Sequence, residues 1–177
     1  MKEIDSGSCK ALLAIFLFLI FANESRVAAK PNFNNFEFES FAFKWSADSD
    51  ERAILDLINE ERRKRRLNAL MWDNKLGQLA RSYSRKMARE NFFSHYDSKG
   101  NNLENRARDF KITWTSIGEN LYFCKGFDNP AEAAVEGWLK SPSHRANMLG
   151  RNWSATGIGL AETRDGRVYV TQIFLRR

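Results

Sequence analysis

Apolar side chains repeat at helical spacing in two stretches of this chain. The first stretch follows acidic residues at 48–50, which suit the positive end of a helix dipole. The second follows Asp73, a good N-cap, and predicts a helix over about 74–91. The inward positions of the two helices are Ile54, Leu55, Leu57, Ile58 and Leu67, and then Leu76, Leu79, Ala80, Tyr83, Met87 and Ala88.

Two shorter elements are predicted in the middle of the chain. Turn-forming residues at 97–101 precede a short helix over about 102–110. Residues 112–123 are rich in β-branched and aromatic side chains, so they read as an extended segment that Gly118-Glu119-Asn120 interrupts.

The last third of the chain combines two helix starts with a hairpin. Asn129-Pro130 and Ser141-Pro142 each place proline at the first helical position, and Gly150 ends the second helix. Two alternating runs, 153–163 and 168–175, flank an Asp-Gly turn. The order of helices, strand, helices and hairpin predicts an α+β fold in which helices flank a central antiparallel sheet.

The first 29 residues have the pattern of a secretory signal peptide. The apolar run at 11–22 is shorter than the roughly 20 residues that a membrane-spanning helix needs. Val27-Ala28-Ala29 offers a cleavage site that leaves Lys30 as the new N-terminus. We therefore expect a secreted, extracellular or cell-envelope protein with no transmembrane helix after cleavage.

Residues 30–47 form an aromatic segment ahead of the main domain, which we place at 48–177. Phenylalanines there alternate with polar residues at a strand-like period of two. The segment is interpreted as an edge strand or an arm over the domain; an adhesive role for residues 33–45 is the alternative.

The formal net charge is +6, and the signal region contributes none of it. A basic secreted domain is attracted to polyanions, which outside a cell are anionic wall polymers, acidic glycans or lipid surfaces rather than nucleic acid. The basic run at 62–66 is expected to be a solvated helix end, with a wall-binding patch as the alternative. Cys124 is left without a disulfide partner once Cys9 is removed, so we expect a small buried filler.

The candidate chemistry lies with two histidines, His95 and His144, and with Glu119 and Glu136 between them. Imidazole titrates near neutral pH and is the commonest metal ligand. The two histidines with one glutamate and an open water position could form a hydrolytic metal site. Without a metal, Glu119 beside His95 could form a hydrogen-bonded pair that fixes a tautomer. Glu119 and Glu136 could also divide acid and base roles on a glycan. The remaining alternative is that these buried polar groups only satisfy one another.

Several short motifs together resemble the CAP superfamily, which includes cysteine-rich secretory proteins, antigen 5 and pathogenesis-related 1 proteins and is also called the SCP domain. The resemblance covers about 50–177 and looks like the bacterial-type secreted branch. Its motifs are Leu70-Met71-Trp72-Asp73, Phe93-Ser94-His95, Gly118-Glu119-Asn120-Leu121, Ala134-Val135-Glu136-Gly137-Trp138, Ser141-Pro142-Ser143-His144-Arg145-Ala146-Asn147-Met148-Leu149, Gly157-Ile158-Gly159 and Tyr169-Val170-Thr171-Gln172-Ile173-Phe174.

The resemblance implies an α-β-α sandwich with a central cleft. It implies that His95, Glu119, Glu136 and His144 form a cleft tetrad, and that His95, His144 and Glu119 bind Zn²⁺ or another divalent cation. The function favoured at this point is a binding module for a wall glycan, a lipid or a divalent metal. The alternative is a hydrolase that acts on peptidoglycan or protein through the same cleft.

Overall fold

The computed structural model describes residues 47–177. The predicted signal peptide (1–29) and, apart from residue 47, the aromatic arm (30–47) lie outside the described residues. Within the described part the elements are α1 (Ala47–Lys64), β1 (Met71–Trp72), α2 (Asn74–Glu90), α3 (Leu103–Asp109), β2 (Ser116–Lys125), α4 (Pro130–Lys140), α5 (Pro142–Met148), β3 (Ala155–Glu162) and β4 (Arg167–Arg176).

The four strands form one sheet in the order β1-β3-β4-β2. β3 and β4 form the predicted hairpin, and β2 pairs antiparallel with β4 over its whole length. The two-residue strand β1 had not been predicted, and it adds to β3 in parallel. The predicted α+β class with a central antiparallel sheet is confirmed for the three long strands, and β1 makes the complete sheet mixed.

Helices cover both faces of the sheet, which confirms the α-β-α sandwich. On one face, α1, α4 and α5 bury side chains against the β3–β4 hairpin around Trp138 and Phe174. On the other face, α2 and α3 pack on Ile173 and Leu175. Because side chains alternate along a strand, each strand supplies both cores.

Two glycines set how closely α2 approaches the sheet. A Cβ atom at Gly157 would lie 2.2 Å from the backbone nitrogen of Gly77, and one at Gly159 would lie 2.0 Å from that of Arg81. No side chain fits in such a gap. The two glycines of the Gly157-Ile158-Gly159 motif therefore allow the α2 backbone to pack directly against β3.

The expected break at Gly118-Glu119-Asn120 is wrong. These residues keep regular pairing with Phe174, Ile173 and Gln172 of β4. Gly118 does not bend the strand. It lets the Trp153 ring pack close to the backbone, since a Cβ atom at this position would lie 3.2 Å from that ring. Glu119 therefore lies on a rigid strand.

β2 is an edge strand, and the end of the α4–α5 layer covers part of that edge. The Trp138 indole donates to the Leu121 carbonyl at 2.9 Å, and the Asn147 amide donates to the Glu119 carbonyl at 3.2 Å. Side chains from both α4 and α5 thus satisfy carbonyl groups at this edge. No helix within residues 47–177 is long and apolar enough to cross a membrane.

Candidate functional site

His95 and Glu119 form a hydrogen-bonded pair at the edge of the sheet. His95 Nδ1 lies 2.8 Å from Glu119 Oε1. The Glu119 side chain is 4 % exposed, whereas that of His95 is 52 % exposed. The strand therefore supplies a buried carboxylate, and the loop after α2 places an imidazole between that carboxylate and solvent.

The loop that carries His95 is fixed on both sides of the histidine. The Tyr83 hydroxyl donates to the Ser94 carbonyl at 2.7 Å. Beyond the histidine, the Asp97 carboxylate accepts from the ammonium of Lys86 at 2.7 Å and from the backbone N–H of Asn101 at 2.9 Å. The hydrogen bond from Lys86 is the largest of the contributions that hold the pKa of Asp97 well below its usual range.

Arg106 neutralises the carboxylate of the pair. Its Nη2 donates to Oε2 of Glu119 at 2.9 Å and to Oε1 at 3.1 Å, and its guanidinium lies over the Tyr83 ring, 3.3 Å from the centroid. Burial raises the pKa of Tyr83 to about 12, so this hydroxyl stays protonated. Glu119 is thus held between a cation and an imidazole, in an arrangement suited to orienting His95.

His144 approaches the same place from the opposite helical layer. The Asn120 amide donates to the His144 carbonyl at 3.0 Å, and Asn147 in turn donates to Asn120 Oδ1 at 3.0 Å. The pKa of His144 is lowered, mainly by burial and further by the nearby His95. The two imidazoles are therefore close enough to interact electrostatically beside β2.

Arg62 anchors the helix that carries His144. Its side chain is fully buried, and its Nη1 donates to the carbonyls of Met148 at 2.8 Å and Gly150 at 3.0 Å. The expectation that the whole basic run is solvated is therefore wrong for Arg62, because its guanidinium satisfies the carbonyls at the end of α5. Lys64 and Arg65 form ion pairs with Glu61 on their own helix.

The geometry determines which nitrogens are available for a ligand. When His95 donates from Nδ1 to the Glu119 carboxylate, its Nε2 keeps a lone pair for an external group. The lowered pKa of His144 favours its neutral form at neutral pH. The two side chains therefore present imidazole nitrogens that can accept or donate hydrogen bonds at a partly exposed position.

Glu136 lies away from this pair. It is exposed on α4, its carboxylate pairs with Lys140 at 3.0 Å, and it borders a groove between α1 and α4. Trp138 points into the core, and two helical positions correspond to about 200° around the axis, so Glu136 points away from the sheet. The structure brings three of the four predicted tetrad residues together and leaves Glu136 outside.

The three predicted metal ligands do not make a preformed metal site. In the part of the chain that the structure describes, no group of three His, Cys, Asp or Glu side chains has a geometry that could hold a metal ion. Both carboxylate oxygens of Glu119 already accept from Arg106. The donor set present is therefore two imidazoles, and zinc binding stays a prediction.

Sequence reasoning missed Arg106, although the sequence contains a signal for it. Leu103, Ala107 and Phe110 are the apolar positions of the helix predicted over about 102–110, and Arg106 falls on the same face. A charged residue on an apolar helix face requires a partner, because an unpaired buried charge is very costly. That partner is Glu119.

Exposed aromatic rings border the site. Phe93 is 51 % exposed, Tyr96 60 % and Phe123 40 %, and we call these three residues the aromatic rim. The rings of Phe93 and Phe123 lie 5.9 Å apart. Phe123 is on the same face of β2 as Glu119, four residues further on. Large apolar surface next to polar groups is typical of a ligand site.

Comparison with known proteins agrees with this fold. The model of the CAP, cysteine-rich secretory protein family matches residues 55–174. The chain is 35% identical over 136 residues to the uncharacterized membrane protein YlbC of Bacillus subtilis, covering 76% of this chain and 37% of YlbC. It is 32% identical over 127 residues to the uncharacterized protein YkwD of the same organism, covering 72% of this chain and 48% of YkwD. The chain thus spans less than half the length of either relative.

A solved structure shows the same architecture. An extracellular protein containing a SCP domain from Bacillus anthracis superposes with a TM-score of 0.65 at 30% sequence identity. The match covers 74% of this chain and 41% of that one. The shared part is the α-β-α sandwich that positions the two histidines.

Proposed function

The chain belongs to the CAP, cysteine-rich secretory protein family, and on that premise we propose that it is a secreted or wall-associated module that binds a wall glycan at the His95–Glu119–His144 site. Its domain is of the kind found in a bacterial extracellular protein. The single observation that supports glycan binding is the open imidazole of His95, held by a neutralised carboxylate beside the aromatic rim.

A glycan matches the chemistry of this surface. Sugar hydroxyls both donate and accept hydrogen bonds, and the ring nitrogens of the two imidazoles can serve as their partners. The C–H faces of sugar rings pack on aromatic side chains, and Phe93 and Phe123 offer such faces. A purely apolar ligand such as a lipid chain would leave the imidazoles without partners, at a desolvation cost.

The arrangement supports binding rather than hydrolysis. A glycosidase needs two carboxyl groups that flank the bond, one of them free to exchange a proton. Glu119 is engaged by Arg106 at 2.9 Å, and Glu136 lies on another surface. The carboxylate pair that a glycosidase requires is therefore not assembled at this site.

Long-range charge supports attraction to an anionic wall. The chain has a formal net charge of +6, and Arg63 and Arg66 near the end of α1 are exposed. Exposed charges act through screened attraction, so association with anionic polymer should weaken as salt rises.

The test is a pelleting assay of the full chain with purified peptidoglycan, with the soluble fraction analysed by mass spectrometry. His95→Gln should weaken binding by roughly tenfold, because it removes an oriented imidazole from the contact. Phe123→Ala should weaken it to a similar extent. Glu136→Gln is the matched control and should bind as the parent does.

Two outcomes would overturn the proposal. Equal binding of the parent and His95→Gln would place recognition elsewhere on the surface. Release of soluble wall fragments that Glu119→Gln abolishes would instead identify a hydrolase, and the fragment masses would name the bond that is cut.

A further inference from the structure

A second cavity lies at the far end of the sheet from the histidines. It has a volume of about 380 Å³ and is bordered by the start of α1, the end of β2 and the turn of the β3–β4 hairpin. Glu119 and Lys125 are six residues apart on β2, which separates the two places by roughly 20 Å. The cavity is therefore independent of the proposed glycan site.

The Asp50 carboxyl is buried in this cavity without a cationic partner. The residue is 4 % exposed and lines the cavity. Neither a hydrogen bond nor an ion pair engages its side chain among residues 47–177. Buried carboxyl groups normally have a partner, since leaving one unpaired is costly.

Glu162 adds a second negative charge to the same cavity. It is the last residue of β3, it lines the cavity, and its charge and that of Glu51 both oppose ionisation of Asp50. Burial is the larger effect, and together the three raise the pKa of Asp50. Glu51 is itself paired with Arg81 at 2.5 Å, so it is not available to a ligand.

The nearby cations are already engaged. Lys125 lies 3.4 Å from Asp165, and Arg167 lies 3.0 Å from the same carboxylate. These ion pairs occupy the turn side of the cavity. The negative potential of Asp50 and Glu162 therefore faces the cavity itself.

The remaining wall of the cavity is apolar. Leu160, Val168 and Pro130 are buried, and the Phe127 ring at the mouth is 57 % exposed. An aromatic face attracts a cation, and an apolar wall accommodates a hydrocarbon stem. Within the described part of the chain, no cluster of three side chains that could hold a divalent ion is present.

From this juxtaposition we propose that the cavity between Asp50, Glu162 and Phe127 is a binding site for a primary ammonium group on a short alkyl stem. The ammonium would donate hydrogen bonds to the two carboxylates, and the stem would pack on Leu160 and Val168. A free diamine and a lysine side chain of a peptide share this chemistry, and both are candidate sources.

The experiment follows backbone amide shifts of the isotope-labelled full chain by NMR during titration with cadaverine. Shifts should be confined to the cavity, at Gly126, Phe127 and Leu160, with a dissociation constant of about 1 mM or lower. The diol of the same carbon chain is the matched neutral probe and should cause no such shifts. A blocked lysine tripeptide, compared with its acetyl-lysine form, tests the peptide source.

Variants make the result decisive. Asp50→Asn should weaken cadaverine binding by roughly tenfold or more, since it removes a charge-assisted contact. Asp56→Asn, an exposed position on the same helix, is the matched control and should bind as the parent does. Because an amide at position 50 removes an unpaired charge, this variant is expected to remain folded, which its amide spectrum reports directly.

Four outcomes would overturn the proposal. Cadaverine could leave the cavity amides unshifted, or the diol could shift them equally. Calcium chloride could instead saturate the same amides at lower concentration, which would identify a metal site. Retained binding by Asp50→Asn and by Glu162→Gln would place the amine elsewhere.

Discussion

The two ends of the sheet hold buried carboxyl groups in opposite electrostatic settings. Glu119 lies 2.9 Å from the Arg106 guanidinium and accepts from His95. Asp50 has no such cation in the described part of the molecule and shares its cavity with Glu162. A paired buried carboxylate positions its neighbours, whereas an unpaired one destabilises the fold until a ligand compensates it. The role of a buried carboxylate therefore depends on whether a cation pairs with it, and burial alone does not show this.

The neighbouring loops differ in the same way. At the histidine end, Asp97 and Tyr83 fix the loop around His95 through hydrogen bonds. At the cavity end, Phe127 at the mouth of the cavity is exposed, and so is the adjacent Asp128. The loop at the first end is therefore fixed by hydrogen bonds, whereas the second end is a cavity whose lining includes Asp50 and Glu162.

The largest expected effect comes from removing the cation at the histidine end. Arg106→Met should lower the free energy of unfolding by about 3–5 kcal/mol, because it leaves Glu119 buried and unpaired. Urea denaturation measures the change. The double variant with Glu119→Gln should recover much of the loss, since no charge then remains. A loss below about 1 kcal/mol for the single variant would show that the pair is not needed to hold Glu119.

Carboxyl-to-amide substitutions at the two ends of the sheet should change the free energy of unfolding in opposite directions. Glu119→Gln should destabilise by about 1–3 kcal/mol, because it weakens the bonds to Arg106 and His95. Asp50→Asn should leave stability unchanged or increase it, because it removes an unpaired charge. Thermal and urea unfolding of both variants would sharpen the comparison, and changes of the same sign would break it.

The pH dependence of stability should also differ between the ends. The pKa of Asp97 is lower in the folded state than its unfolded value near 3.8. The ionised Asp97 carboxylate therefore stabilises the fold fully above that unfolded pKa, and this stabilisation is lost as the pH falls towards the folded pKa. The pKa of Asp50 is higher in the folded state than its unfolded value near 3.8. Ionisation of Asp50 therefore destabilises the fold as the pH rises above the unfolded pKa, and this loss of stability is complete only above the folded pKa.

Urea midpoints measured between about pH 3 and pH 7 would separate the two effects. The stability advantage of Asp50→Asn over the parent should grow with pH across this range. Asp97→Asn should be less stable than the parent at neutral pH, and this difference in stability should shrink as the pH falls. An advantage of Asp50→Asn that is constant with pH would mean that Asp50 ionises normally.

The smallest expected effect concerns the two imidazoles. Because burial and His95 lower the pKa of His144, its NMR titration midpoint should lie below 6.5. His95→Gln should raise that midpoint slightly, because burial, the larger cause, remains. A midpoint at or above 6.5 would contradict the burial of His144, and an unchanged midpoint in His95→Gln would contradict the proximity of the two rings.

Local sequence signals predicted most of the elements correctly. Asp73 caps α2 through hydrogen bonds to the backbone N–H groups of Lys75 and Leu76, as its position before an amphipathic run indicated. Asn129-Pro130 begins α4, and the hairpin turns at the Asp-Gly pair. Caps, prolines and periodicity act within a few residues, so the sequence displays them directly.

The candidate site was predictable only in part. The His95–Glu119 contact was anticipated as a pair, and His144 does come near it. Glu136 was grouped with them by motif, but the rotation of α4 directs it to another surface. Which side of a helix faces the sheet depends on packing across the core, and a motif does not encode that direction.

The order of the helices and long strands, the α+β class and the candidate histidines could be read from the sequence, because propensity and patterning are local properties of the chain. Packing across the whole fold was needed to show that Arg106 neutralises Glu119, that Arg62 is buried beneath α5, and that Asp50 shares a cavity with Glu162. Asp50 and Glu162 are more than a hundred residues apart in the chain. Their meeting depends on how β3 aligns with α1, which is set by the packing of the whole sandwich.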